Sequence, residues 1–160
     1  MTTTWLLVAN RARARVLEIQ SVRGQPIERA AFVNPAGRAH ERDLDSDAAG
    51  RFYGKGEREQ AHSATASESL AEHETDRFVV DLREFLDHAR SEQRFERLWL
   101  IAAPAFLGQL RSAFSKPLRQ RVELELDKDL TTDTPDEILR RALDARRAKR
   151  GRSERASAQS

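Results

Sequence analysis

The sequence predicts a three-layer α/β domain, a five-stranded mixed sheet with helices packed on its faces, and three observations carry that expectation. The runs WLLVAN at 5–10 and LWLIA at 98–102 are apolar on both alternating faces, as strands covered on both sides must be. A strand–helix–strand order with a short crossover after residue 97 favours parallel pairing of the last two strands. Phe78, Val79, Leu82, Phe85, Leu86 and Ala89 recur at helical spacing, while Asp76, Asp81, Glu84 and Asp87 fall mostly on the other side. A long helix therefore has an apolar stripe to lay on the sheet.

The elements follow in order. A second strand at 14–20 (ARVLEIQ) begins four residues after the first, the spacing of a hairpin, and Asn10 supplies the left-handed conformation that a tight turn needs in place of glycine. A turn at Arg23-Gly24-Gln25-Pro26 leads into a third strand over 27–34. From 35 to 66 the periodicity vanishes, with Gly37, Gly50, Gly54 and Gly56 punctuating charged and small residues, so this stretch reads as a long functional or mobile loop. Thr65 and Glu68 form a capping box that starts the long helix, which runs to about Gln93. A buried strand over 97–102 ends before Pro104, which opens a helix whose apolar face is Phe106, Leu107, Leu110 and Phe114. Lys116-Pro117-Leu118 reads as a short turn. Val122, Leu124 and Leu126 then alternate with charge in a half-exposed strand. Thr134-Pro135-Asp136-Glu137 joins an N-cap, a first-turn proline and a capping-box glutamate at the head of a final helix, whose apolar residues end near Ala145.

At 160 residues and 18.2 kDa the chain has the length of one domain, taken as residues 1–147 with the loop 35–66. Residues 148–160 have nothing left to bury and read as a basic disordered tail. The absence of cysteine excludes disulfides, thiolate zinc sites and cysteine nucleophiles. No apolar stretch approaches the length that spans a membrane, and the apolar start lacks a basic leader and a small-residue cleavage site, so the expectation is a cytoplasmic protein without membrane insertion. The formal net charge of +2 hides an asymmetry: residues 140–160 carry eight basic side chains against two acidic ones, and the rest of the chain is mildly acidic. A basic end of this kind seeks phosphate or simply keeps the protein solvated.

Five blocks carry a family resemblance: WLLVANRARARVLEI at 5–19, VNPAGRAHERDLDSDAAGR at 33–51, HETDRFVVDL at 73–82, LWLIAAPAFLGQLR at 98–111 and VELELDKDLT at 122–131. In this order they resemble the host attachment proteins, described as proteins required for attachment to host cells, over nearly everything from residue 5 to about Leu143. Asn10 stands where that family usually has an aspartate. The family is in turn similar to bacterial and archaeal release-factor-like proteins, which implies a ribonuclease H-like or release-factor central-domain-like sheet. Release factors carry Gly-Gly-Gln in the loop before the long helix; this chain has Gly54-Lys55-Gly56-Glu57 there, so the resemblance does not extend to peptidyl-tRNA hydrolysis.

Candidate binding residues fall in three groups. Arg11, Arg13 and Arg15, at alternate positions, make a phosphate reader if the strand continues through them; as ordinary hairpin charges they are solvated or pair with Asp127 and Asp129. In the loop, Arg51, Lys55 and Arg58 offer charge and Phe52 and Tyr53 offer faces for a base to stack on, or else anchor the loop to the body. In the basic end, Arg146, Arg147, Lys149 and Arg150 supply phosphate contacts.

Glu125, Asp127 and Asp129 share one face of a regular strand, but metal-dependent nuclease chemistry needs carboxylates from several elements, and the first strand offers none. His40, His62, His73 and His88 lack metal-binding spacing. Neither a metal nor a cofactor is implied, and the chain reads as a non-enzyme. Three functions follow: a non-catalytic release-factor-like protein engaging RNA or the ribosome, with a protein partner as a further option; a protein promoting attachment to host cells, directly or indirectly; and a small metal-dependent hydrolase or nuclease.

Overall fold

A computed structural model describes residues 2–37 and 57–159, with residues 57–68 as backbone alone. Strands β1 (Thr4–Ala9), β2 (Arg13–Ile19) and β3 (Ile27–Val33) form an antiparallel meander. Helix α1 (Glu57–Ser91), strand β4 (Arg97–Ala102), helices α2 (Pro104–Ala113) and α3 (Lys116–Arg121), strand β5 (Val122–Leu126) and helix α4 (Pro135–Ala158) follow. The sheet order is β3-β2-β1-β4-β5, with β1 parallel to β4 and β4 parallel to β5. The mixed five-stranded sheet is the one the sequence predicts.

Every residue of β1 is buried because it lies in the middle strand between two helical layers. On one side Trp5, Leu7 and Val16 pack with Phe78, Leu82 and Leu86 of α1, Phe106 and Leu110 of α2 and Leu118 of α3. On the other, Leu6, Val8, Leu17, Trp99 and Ile101 pack with Ile138, Leu139 and Ala142 of α4. Stacking of Trp5 on Phe95, with ring centroids 5.0 Å apart, adds specificity to the first layer. The edge strand β3 is largely exposed and carries Glu28 and Arg29, charges that discourage pairing with another sheet.

Four local expectations are corrected. The long helix begins at Glu57 rather than at the Thr65–Glu68 box, so residues 57–66, Arg58 among them, are helical and not loop. Its first ten residues, EREQAHSATA, contain neither glycine nor proline, and good helix formers extend a helix that its packed half has already nucleated. Lys116-Pro117-Leu118 is not a turn but the start of α3, capped by Ser115, whose Oγ accepts from the Leu118 amide at 3.3 Å and donates to Asp87 on α1 at 2.7 Å. Asn10 does not adopt the left-handed conformation; among the described non-glycine residues only Gln93 does, at φ 60°. Gln93 closes α1 with the pattern of a Schellman motif, the Arg94 amide reaching the Ala89 carbonyl at 3.0 Å and its own amide reaching Arg90 at 2.9 Å.

The fourth correction concerns the basic end. Residues 148–158, expected to be disordered, continue α4 without a break. Their side chains gain no core, but Ala, Arg, Lys and Glu favour propagation of an already nucleated helix, against which Gly151 and two serines weigh only modestly.

Candidate functional site

The carboxyl ends of parallel strands are where α/β sheets commonly bind ligands. Here that end is filled by the protein's own hydrogen bonds. Asn10, buried at the end of β1, uses its side-chain oxygen to accept the amides of Ala12 and Arg13 at 2.8 and 2.9 Å, which builds the hairpin turn without a left-handed residue. Its side-chain amide donates to Asp129 at 2.9 Å and to the Thr131 hydroxyl at 3.2 Å. Asp129 accepts again from the hydroxyl and backbone amide of Thr131, at 2.6 and 3.1 Å. On the other flank Asn34, also buried, donates to the Arg11 carbonyl at 2.8 Å, and the Asn34 amide reaches the Ala12 carbonyl at 2.8 Å. One asparagine thus ties the hairpin to the β5–α4 connection and another ties it to the residues after β3.

This arrangement decides the first arginine group. Arg15 is committed to structure: it pairs with Glu28 at 2.8 Å and donates to the carbonyls of Thr131 and Asp133 at 3.1 and 2.7 Å. Arg13 lends its charge to Asp129. Arg11 sits before β2 begins, exposed on the turn. Arg13 and Arg15 thus both engage the β5–α4 connection, while Arg11 lies exposed on the turn. The acidic trio also disperses: β5 ends at Leu126, so only Glu125 of the three lies on it, paired with Arg111 of α2 at 2.5 Å, while Asp129 turns to Asn10. Among the described residues no group of three or more acidic or histidine side chains is placed to hold a metal ion. Arg51, Phe52, Tyr53 and Lys55 lie outside the described residues, and Arg58 is described only as backbone of α1.

The opposite end of the sheet holds two matching constellations that sequence reasoning passed over. Trp5 donates its indole N–H to Glu18 at 3.0 Å, with the Arg94 guanidinium 5.6 Å from its ring centroid. Trp99 donates to Glu123 at 2.9 Å, with Arg146 at 5.6 Å from its ring centroid. The first pair was within reach of the hairpin register, which sets Trp5 directly opposite Glu18. The second depends on an irregularity between Leu98 and Trp99 that leaves Glu123 without a register partner, and no residue pattern announced it. Of the basic end, Arg146 covers Trp99 and lies 3.5 Å from Glu123, Lys149 donates to the Glu123 carbonyl at 2.9 Å, and Arg147 and Arg150 are exposed.

The three carboxylates share one electrostatic logic. Burial pushes the Glu18 carboxyl up, but hydrogen bonds from Trp5 and Arg29 and the charges of Arg29 and Arg94 outweigh it and hold its pKa below the ordinary glutamate value. Glu123 is lowered in the same way, burial being outweighed by the Trp99 hydrogen bond and by Arg97 and Arg146. For Asp129 partial desolvation is outweighed by Asn10, Thr131 and the charge of Arg13. Groups whose folded pKa is depressed contribute stability above the unfolded pKa and lose it as pH falls through the folded value. Stability should therefore be flat from neutrality down to about pH 5 and fall steeply below about pH 4, as read by thermal unfolding across a pH series. A chain carrying Glu18→Gln and Glu123→Gln should be less stable at neutrality and lose less of what remains on acidification; an unchanged acid profile would sink this assignment.

A sequence model of the family described as "Protein required for attachment to host cells" matches residues 5–142. The chain belongs to that family. The match spans all five strands, from within β1 to the first two turns of α4, and so includes the Asn10–Asp129 tie and both tryptophan–glutamate pairs. Among curated proteins, no sequence matches the chain significantly. Among the described residues no helix is long and apolar enough to cross a membrane.

Proposed function

We propose that the protein supports attachment to host cells as a non-catalytic binding protein. The family match over residues 5–142 carries the reading. Its non-catalytic half is supported by the engagement of one candidate carboxylate, Asp129, by Asn10 and Thr131. A carboxylate that anchors a fold by accepting several hydrogen bonds is a poor general base, because those bonds stabilise its charged form. Deleting the gene should lower the number of cells that remain attached to a host-cell layer after washing, and supplying it in trans should restore the count. Attachment undiminished by the deletion would refute the proposal.

One observation favours a second reading, engagement of RNA or the ribosome. Beyond Lys149 the helix α4 presents Arg150, Arg152 and Arg155 to solvent against Glu154 alone. Counterion release makes such contacts salt-dependent, so a chain ending after Gly151 should bind RNA with a shallower salt slope than the full chain. Equal slopes would remove this helix end from RNA binding.

A further inference from the structure

The turn after β2 and the middle of α4 face each other across a cleft at the amino end of β1 and β4. Two adjoining hollows of about 200 and 330 Å³ meet at Val22 and Arg146. Arg23 on the turn, Arg97 at the start of β4, and Arg146, Arg147 and Arg150 on α4 line them, and among the described residues no acidic side chain does. Glu123, just beneath, is the one carboxylate shared by Arg97 at 3.8 Å and Arg146 at 3.5 Å, and Arg147 has only a loose pair with Asp144 at 3.9 Å. Among the described residues Arg23 and Arg150 form no ion pair. The Nε of Arg146 is buried and has no hydrogen-bond partner, so the guanidinium is not fully satisfied by the protein.

From this geometry we infer that the cleft is a binding site for a compact phosphate-bearing anion. Guanidinium groups converging from two sides match the oxygen array of a phosphate, and the indole of Trp99 fixes Arg146 before the ligand arrives. Val22 and Leu143 give the cleft an apolar patch for the non-phosphate body of the ligand. A compact anion suits the site better than a polymer backbone. On the remaining turns of α4 before residue 150 the other arginines are interleaved with acids: Arg140 pairs with Glu137 at 2.6 Å and Arg141 lies 3.8 Å from Asp133. Arg146, Arg147 and Arg150 of α4 line the hollow, and Arg140 and Arg141 do not. The inference is independent of the attachment role.

Calorimetric titration of the full chain with inorganic pyrophosphate, and separately with adenosine monophosphate, tests the site. Saturable one-to-one binding of pyrophosphate is expected, weakened about tenfold or more by the pair Arg23→Gln and Arg150→Gln, two exposed side chains whose loss leaves the core intact. Arg140→Gln, outside the cleft, should leave the affinity unchanged. Tighter binding of adenosine monophosphate than of pyrophosphate assigns the apolar patch to an organic body; the reverse assigns the site to the phosphate alone, and both support the inference. Absence of saturable pyrophosphate binding, or wild-type affinity in the double variant, would overturn it.

Discussion

Trp99→Ala should destabilise the protein by about 4 kcal/mol, the range for emptying a large aromatic site in a packed core. Trp99 is 1% exposed and fills the layer between the sheet and α4. Its loss removes the surface on which Arg146 rests and the N–H that holds Glu123, so two charged groups lose a neutral partner as the cavity opens. Trp99→Phe separates these contributions: the ring keeps most of the packing and the support of Arg146, while Glu123 loses one hydrogen bond, for about 1–2 kcal/mol. Chemical denaturation read by far-ultraviolet circular dichroism, with the slope checked for constancy, measures both. An alanine variant within 1 kcal/mol of wild type would mean that α4 does not pack on the sheet as described.

The second large effect is expected where the chain leaves β3. A Cβ added to Gly37 would lie 2.2 Å from the Arg11 carbonyl oxygen and under 3 Å from the adjacent carbonyl carbon and from the Cα of Ala12, all backbone atoms. Side-chain rotation cannot relieve such a contact. The hairpin is held in place from below by Asn10 and from the side by Asn34, so the helical residues 35–37 must move away. Gly37→Ala should cost about 3 kcal/mol, and the Asn34 amide, which donates to the Ala12 carbonyl, should exchange with solvent hydrogen far faster. Wild-type stability and protection would show that Gly37 does not dock on the hairpin.

What could be read from the sequence follows from which signals are local. The strands announced themselves because β1 and β4 are covered on both faces and are therefore apolar after their first residues, Thr4 and Arg97. Pro104, Thr134 and Pro135 marked two helix starts because capping chemistry is written in adjacent residues. Two starts were misplaced. The Thr65–Glu68 pattern falls inside α1, and the proline at 117 opens a short helix in place of a turn; both motifs are compatible with more than one position in a helix.

The site was less legible because its contacts span most of the chain. Asn10 and Asp129 are 119 residues apart, and their meeting depends on β1 lying one strand away from β5. Spacing in the sequence does not say which partner each arginine meets. Arg15 meets Glu28 and two carbonyls, whereas Arg23, read only as part of a turn, and Arg97 line the same cleft as Arg146 at the opposite end of the sheet. Only the strand order and the aim of Trp99 bring those residues together.

The most direct measurement of the central claim is attachment to host cells by a strain lacking the gene and supplied with a chain carrying Glu125→Gln and Asp127→Asn. These substitutions remove the strand-end carboxylates that a hydrolytic mechanism would draw on while sparing the Asn10–Asp129 tie. The cost to folding is one exposed ion pair, Arg111 with Glu125, and solvent-screened pairs of this kind contribute little. A non-catalytic binding protein predicts that this chain restores attachment as fully as the wild type does. Restoration by the wild type alone, with the substituted chain equally abundant and equally folded, would contradict that claim.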